Sequence, residues 1–199
     1  LASCSSEDFV GTEGGNVETG ANKAINFGGG TGKITRAVLN GGKAAEALQN
    51  NFVVFGYKTN SDNTTSTVFD HYTINWNNKA GQTESNKNGW EYVGMTPNSL
   101  SSVKDQTIKY WDYSANQYDY IAFSFGTATQ GTGDGEVEAS KITTASNLSY
   151  TLKGAVKDLA KCFIADRITA KSDLTNEQKK SNKLVRYNDD VQFNFRSLS

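Results

Sequence analysis

The chain has 199 residues, with 20 lysines and arginines against 21 aspartates and glutamates and a formal net charge of −1. That balance leaves no electrostatic footprint for nucleic acid, and no run of about 18 apolar residues exists to cross a bilayer as a helix. Nineteen glycines, ten phenylalanines, nine tyrosines and one proline describe a β-rich, surface-exposed or secreted protein, with a core large enough to need no staple.

The N-terminus reads LASCSSEDF. Leu1-Ala2-Ser3-Cys4 resembles a bacterial lipobox, in which a signal peptidase cuts before the cysteine and a lipid joins its thiol. Glu7 and Asp8 follow, and resemble the surface-export tag of Bacteroidales-type lipoproteins. The alternative is a buried Cys4, or a disulfide to Cys162, the only other cysteine. The polar tail around Cys4 favours lipidation, and several acyl chains on one cysteine anchor stably. Cys162 is then expected as a buried free thiol.

Residues 1–23 read as a polar tether, followed by a short strand over 23–29 with Ile25 and Phe27 on one face. The stretch FGGGTGKI superficially resembles a phosphate-cradling loop. Such a loop needs Gly-x-x-x-x-Gly-Lys-Ser/Thr; here Phe27 stands at the first glycine and Ile34 at the hydroxyl position. Gly28–Gly30 and Gly32 therefore read as a flexible linker. KAAEALQN, before Asn51, reads as a helical turn.

NFVVFGYKT (51–59) and TSTVFDHYTINWN (65–77) are strands joined by the polar hairpin loop SDNTTS. NGWEYVG (88–94) and QTIKYWDYS (106–114) are read as further strands on either side of Pro97. In QYDYIAFSFGTA (117–128), Tyr118, Tyr120, Ala122 and Ser124 alternate with Ile121, Phe123 and Phe125, a strand covered on both faces. SYTLKG (149–154) adds another strand, and residues 152–168 read as a short turn and then a strand. SDLTNEQKKSN (172–182) is one helical turn, capped by Ser172 or Thr175. In VQFNFRSLS, Val191, Phe193 and Phe195 alternate with polar residues as a half-buried strand. Many short strands separated by turns predict an all-β sandwich with short helical turns.

Chemistry-bearing residues are few. His71, the single histidine, falls in a strand-like run with no nucleophile elbow elsewhere. A Cys/His metal site needs about four ligands, more than two cysteines and one histidine supply. Asp134, Glu136 and Glu138 lie in a glycine-rich loop that lacks EF-hand spacing and reads as a solvated turn. No catalytic residue, metal or cofactor is expected. Trp76, Trp90 and Trp111 could form a sugar-stacking platform, but aromatics in alternating strands are more often core.

Taken in order, the lipobox Cys4, the INF strand, Thr35-Arg36-Ala37, FVVFGYKT, VFDHYTINW, WEYV, IKYWDYSANQYDYIAFSF, DLAKCFIADRITAK and VQFNFRSLS resemble the fimbrillin family of Bacteroidales surface lipoproteins, the subunits of type V pili. The resemblance runs from Cys4 to Ser199. One departure is Phe195-Arg196-Ser197, where many members carry Phe-x-His.

The resemblance implies a transthyretin-like Greek-key β-sandwich, the first of two domains. Residues 1–36 would be the lipidated leader with its first strand and 37–199 the body, with a second domain beyond Ser199. It implies cleavage by an arginine-specific protease between Arg36 and Ala37, release of the strand carrying Ile25 and Phe27, and insertion of a donor strand from another pilin subunit. It places the protein on the outer-membrane surface through its lipid, then in the pilus, with a host or bacterial surface ligand as a further partner. An uncut Arg36 is the alternative, as in subunits that keep their leader. The other functional reading is a surface glycan-binding lipoprotein.

Overall fold

A computed structural model of the protein describes residues 22–31, 39–78, 83–93, 105–141 and 148–199. The fold is all-β, its sheets packed in a sandwich or barrel-like arrangement. Its spine is a hairpin of β2 (Asn51–Thr59) and β3 (Thr65–Trp76), with β5 (Gln117–Ser124) on the other side of β2. The hairpin turns where Asn63 adopts φ +68° and Asp62 accepts the Thr64 amide at 3.0 Å, turn chemistry that asparagine and aspartate supply.

The remaining strands extend this spine. They are β1 (Phe27–Thr31), β4 (Trp90–Glu91), β9 (Phe163–Ala165), β10 (Ile168–Lys171), β11 (Leu184–Arg186) and β12 (Val191–Ser197). The nine-stranded sheet runs β1-β12-β9-β5-β2-β3-β4, with β10 branching from β5 and carrying β11. A second sheet of β6 (Thr129–Gln130), β7 (Glu136–Lys141) and β8 (Tyr150–Lys153) packs against the outer face of β2 and β5.

β5 is covered on both faces, as its alternation predicts. Tyr118, Tyr120 and Ala122 enter the main aromatic core; Phe123 and Phe125 enter a second core with Val53, Phe55, Val137 and Cys162. β12 follows the same logic with one wet face. Val191, Phe193 and Phe195 are fully buried, while Gln192, Asn194 and Arg196 are exposed.

Helical structure is short: α1 (Gly41–Ala47), α2 (Val156–Leu159) and a 3-10 turn at Gln178–Lys180. Thr175, not Ser172, caps the last. Its hydroxyl accepts the Gln178 amide at 3.1 Å, and the Gln178 side chain accepts the Thr175 amide at 2.9 Å, a reciprocal capping box.

Several expectations are corrected. Residues 106–114 form no strand, only a bridge between Ala24 and Tyr110, because side chains take the backbone partners a ladder would use. Gln106 accepts the Thr73 amide at 2.7 Å and donates to the Tyr92 carbonyl at 2.8 Å. The strand read over 88–94 shrinks to two residues. The loop read as a solvated turn gives way to β7 at Glu136, and the strand read in the second half of residues 152–168 is split into β9 and β10.

Candidate strand-exchange slot

Residues 22–31 form one extended segment that changes partner midway. Its first half runs antiparallel to residues 109–111: the Trp111 amide donates to the Lys23 carbonyl at 3.0 Å, and the Ile25 amide to the Lys109 carbonyl at 2.8 Å. At Asn26 the partner becomes β12, whose Val191 amide donates to the Asn26 carbonyl at 2.9 Å. β1 then pairs in parallel, Phe27 opposite Val191, Gly29 opposite Phe193 and Thr31 opposite Phe195. Parallel pairing between chain-distant segments arises because the N-terminal strand is laid beside the last strand rather than joined to it by a turn.

Side chains lock the segment where its partner changes. The Tyr92 hydroxyl donates to the Ile25 carbonyl at 2.8 Å and accepts the Lys109 amide at 3.2 Å. The Asn26 amide donates to the Ala24 carbonyl at 3.0 Å. Burial pushes the Tyr92 hydroxyl well above the usual tyrosine range, so it stays a protonated donor.

Ile25 and Phe27, expected on one face of a released strand, lie together and fully buried. Phe27 touches four rings, with centroids 5.0 Å from Phe69, 5.6 Å from Tyr120, 5.7 Å from Tyr92 and 5.9 Å from Phe193. Gly29, next on that face, lies under Phe52, Phe195 and Trp90. Since Trp90 belongs to β4, the two ends of the sheet path meet over this glycine.

Gly28–Gly30 are therefore not a linker. They are the body of β1, which corrects the linker reading and carries the strand read over 23–29 on to Thr31. The overlooked signal is parity: Gly29 sits two residues beyond Phe27 and four beyond Ile25. Thr31 is bridged to Leu39, its amide donating to the Leu39 carbonyl at 2.9 Å. Cys4, Arg36 and Ala37 lie outside the described residues.

Of the other singled-out residues, His71, Glu136 and Cys162 sit apart from this slot. His71 is exposed at an irregularity of β3, with φ +58° and its ring edge-on to Phe55 at 5.5 Å. Glu136 braces its own loop by accepting the Gly133 amide at 3.0 Å. Among the described residues no group of three or more histidine, cysteine, aspartate or glutamate side chains is placed to hold a metal. Trp90 and Trp111 are buried and Trp76 half-buried, so the three indoles form no surface platform. Cys162 is a buried free thiol whose pKa is raised by burial and by Asp158.

A carboxylate that sequence reasoning passed over holds the neighbouring loop. Glu91, fully buried, accepts the Thr83 and Val93 amides, each at 2.8 Å, and the Thr83 hydroxyl at 2.7 Å, besides a bond from Ser85. This ties residues 83–93 together beside Asn26, whose side-chain amide donates to the Glu84 carbonyl at 3.3 Å. Comparison with protein-family models, curated proteins and solved structures returns no match.

Proposed function

We propose that the chain is a structural pilus subunit or pilus-associated adhesin, assembled by protease-triggered exchange of its N-terminal strand. The observation that carries the reading is the placement of Ile25 and Phe27. They plug the main core from a glycine-rich strand at the end of the sheet path, five residues upstream of Arg36 at its Thr31 end. A strand held by backbone bonds and two apolar side chains is one that another strand of similar pattern can replace.

The remaining arginines lie in or between strands. Arg186 lies in β11, Arg196 in β12, and Arg167 between β9 and β10 with its guanidinium 5.9 Å over the Tyr57 ring. Cleavage after Arg36 would leave the strand bound only by noncovalent contacts. A donor strand from another subunit would then take its place, and the lipid on Cys4 would tether the precursor to the outer membrane. The buried Trp90 and Trp111 weaken the alternative of a glycan-binding lipoprotein.

The test is limited digestion of the folded protein with an arginine-specific protease, followed by an added peptide of residues 22–31. Incorporation of the peptide in place of the leader supports the proposal; a cut protein that never accepts it refutes it.

A further inference from the structure

We infer that the slot held by β1 selects its incoming strand by size at one position: the residue that takes the place of Gly29 must be glycine or alanine, whereas the place of Gly28 tolerates a full side chain. The occupant is a strand from a second protein chain, with a large aliphatic residue where Ile25 sits, an aromatic where Phe27 sits, and a small residue two places on. This inference rests on the strand-exchange reading above and names the partner of the same site.

The asymmetry comes from what surrounds each glycine. A Cβ on Gly29 would lie 3.2 Å from Phe52, 3.3 Å from Phe195 and 3.5 Å from Trp90. All three rings are rigidly placed, since Phe52 packs on Trp90 at 4.8 Å and on Phe195 at 5.1 Å between centroids. One methyl group requires a few tenths of an ångström of yielding, and anything larger must displace a packed ring.

Gly28 faces the other way. Its Cβ would meet the end of the Gln192 side chain and lie 3.2 Å from the Asn88 amide. Gln192 is exposed, so its side chain can turn into solvent. Neither Gly28 nor Gly29 has a positive φ, so side-chain volume rather than backbone strain decides the outcome. The same parity that buries Ile25 and Phe27 thus makes the slot read large, large, small along one face.

The experiment has two arms. In the first, Gly28→Val and Gly29→Val are made in the intact chain and their thermal midpoints compared. Gly29→Val is expected to lower the midpoint by about 5 °C or more, and Gly28→Val by clearly less. Equal effects, or the reverse order, overturn the inference whether or not strands exchange. In the second, protein cut after Arg36 is offered labelled 22–31 peptides carrying either substitution, with capture read by native mass spectrometry. The Gly29→Val peptide is expected to incorporate at least about tenfold less than the parent, and the Gly28→Val peptide close to the parent. Equal capture of all three overturns the inference while leaving strand exchange standing. Capture of none refutes strand exchange, and with it the partner named here.

Discussion

Phe27 of β1 and Phe193 of β12 stack across a parallel strand pair, ring centroids 5.9 Å apart and planes 23° from coplanar. The contact joins the segment nearest the N-terminus to the strand nearest the C-terminus, inside the main core. Phe27→Ala would remove one ring from a cluster of five and leave a cavity that the neighbouring strands cannot close. A loss of about 3–5 kcal/mol is expected by chemical denaturation. A loss below about 1 kcal/mol would mean that the body is packed without its first strand.

Glu91 predicts a second loss. Glu91→Gln keeps the shape but turns one acceptor oxygen into a donor, which in either orientation meets a backbone N–H that also donates, that of Thr83 at one oxygen or that of Val93 at the other. Unfolding free energy should fall by about 1–3 kcal/mol, and amide exchange over residues 83–93 should quicken first. An unchanged exchange pattern would contradict the account of this loop.

The fold was legible where side chains carry a period. Val191, Phe193 and Phe195 mark β12, and the two-sided alternation from Tyr118 to Phe125 places β5 between two cores. Of the two caps offered in the sequence, Ser172 and Thr175, only the folded chain picks out Thr175. Legibility failed where side chains are missing or used otherwise. Gly28–Gly30 have none to alternate, so a strand reads as a linker. Gln106 spends its amide on the backbone of other segments, so a run with strand composition forms no ladder. β11, at three residues, is too short to show a period. Of the candidate slot, Ile25 and Phe27 were visible from parity alone; Tyr92 and Leu39 were not, because only the folded chain brings them to the strand.

Acid should weaken the link between β2 and the turn after Trp111. Burial acts to raise the Asp112 pKa, but hydrogen bonds from Ser114 and Lys58 outweigh it and hold the carboxyl below its ordinary value. Lys58 Nζ lies 2.9 Å from it. A carboxyl depressed on folding contributes stability above its unfolded pKa of about 4, lost as pH falls through the folded value. Asp112→Asn should lose on the order of 1 kcal/mol at neutral pH, with its denaturation curve converging on the parent's below about pH 4. A gap that stays constant with pH would rule out the charge as its source.

Alkali should act through the tyrosines. Burial raises Tyr92, Tyr118, Tyr120 and Tyr187 far above the ordinary value and pushes Tyr150 up to about 12. A group raised on folding contributes stability that is full below its unfolded pKa of about 10 and lost as pH rises through the folded value. Ultraviolet titration should show the buried set ionising only together with loss of near-ultraviolet circular dichroism. All nine tyrosines ionising near pH 10 in a folded protein would contradict the packing.

The central claim, that residues 22–31 form a replaceable strand, is tested most directly by size-exclusion chromatography of the protein after cleavage at Arg36. The account predicts that the leader fragment co-elutes with the body, held by β12, Tyr92 and the Phe27 cluster, and leaves only when excess 22–31 peptide is added. A leader that separates at once without unfolding the body, or one that no peptide displaces, would contradict it.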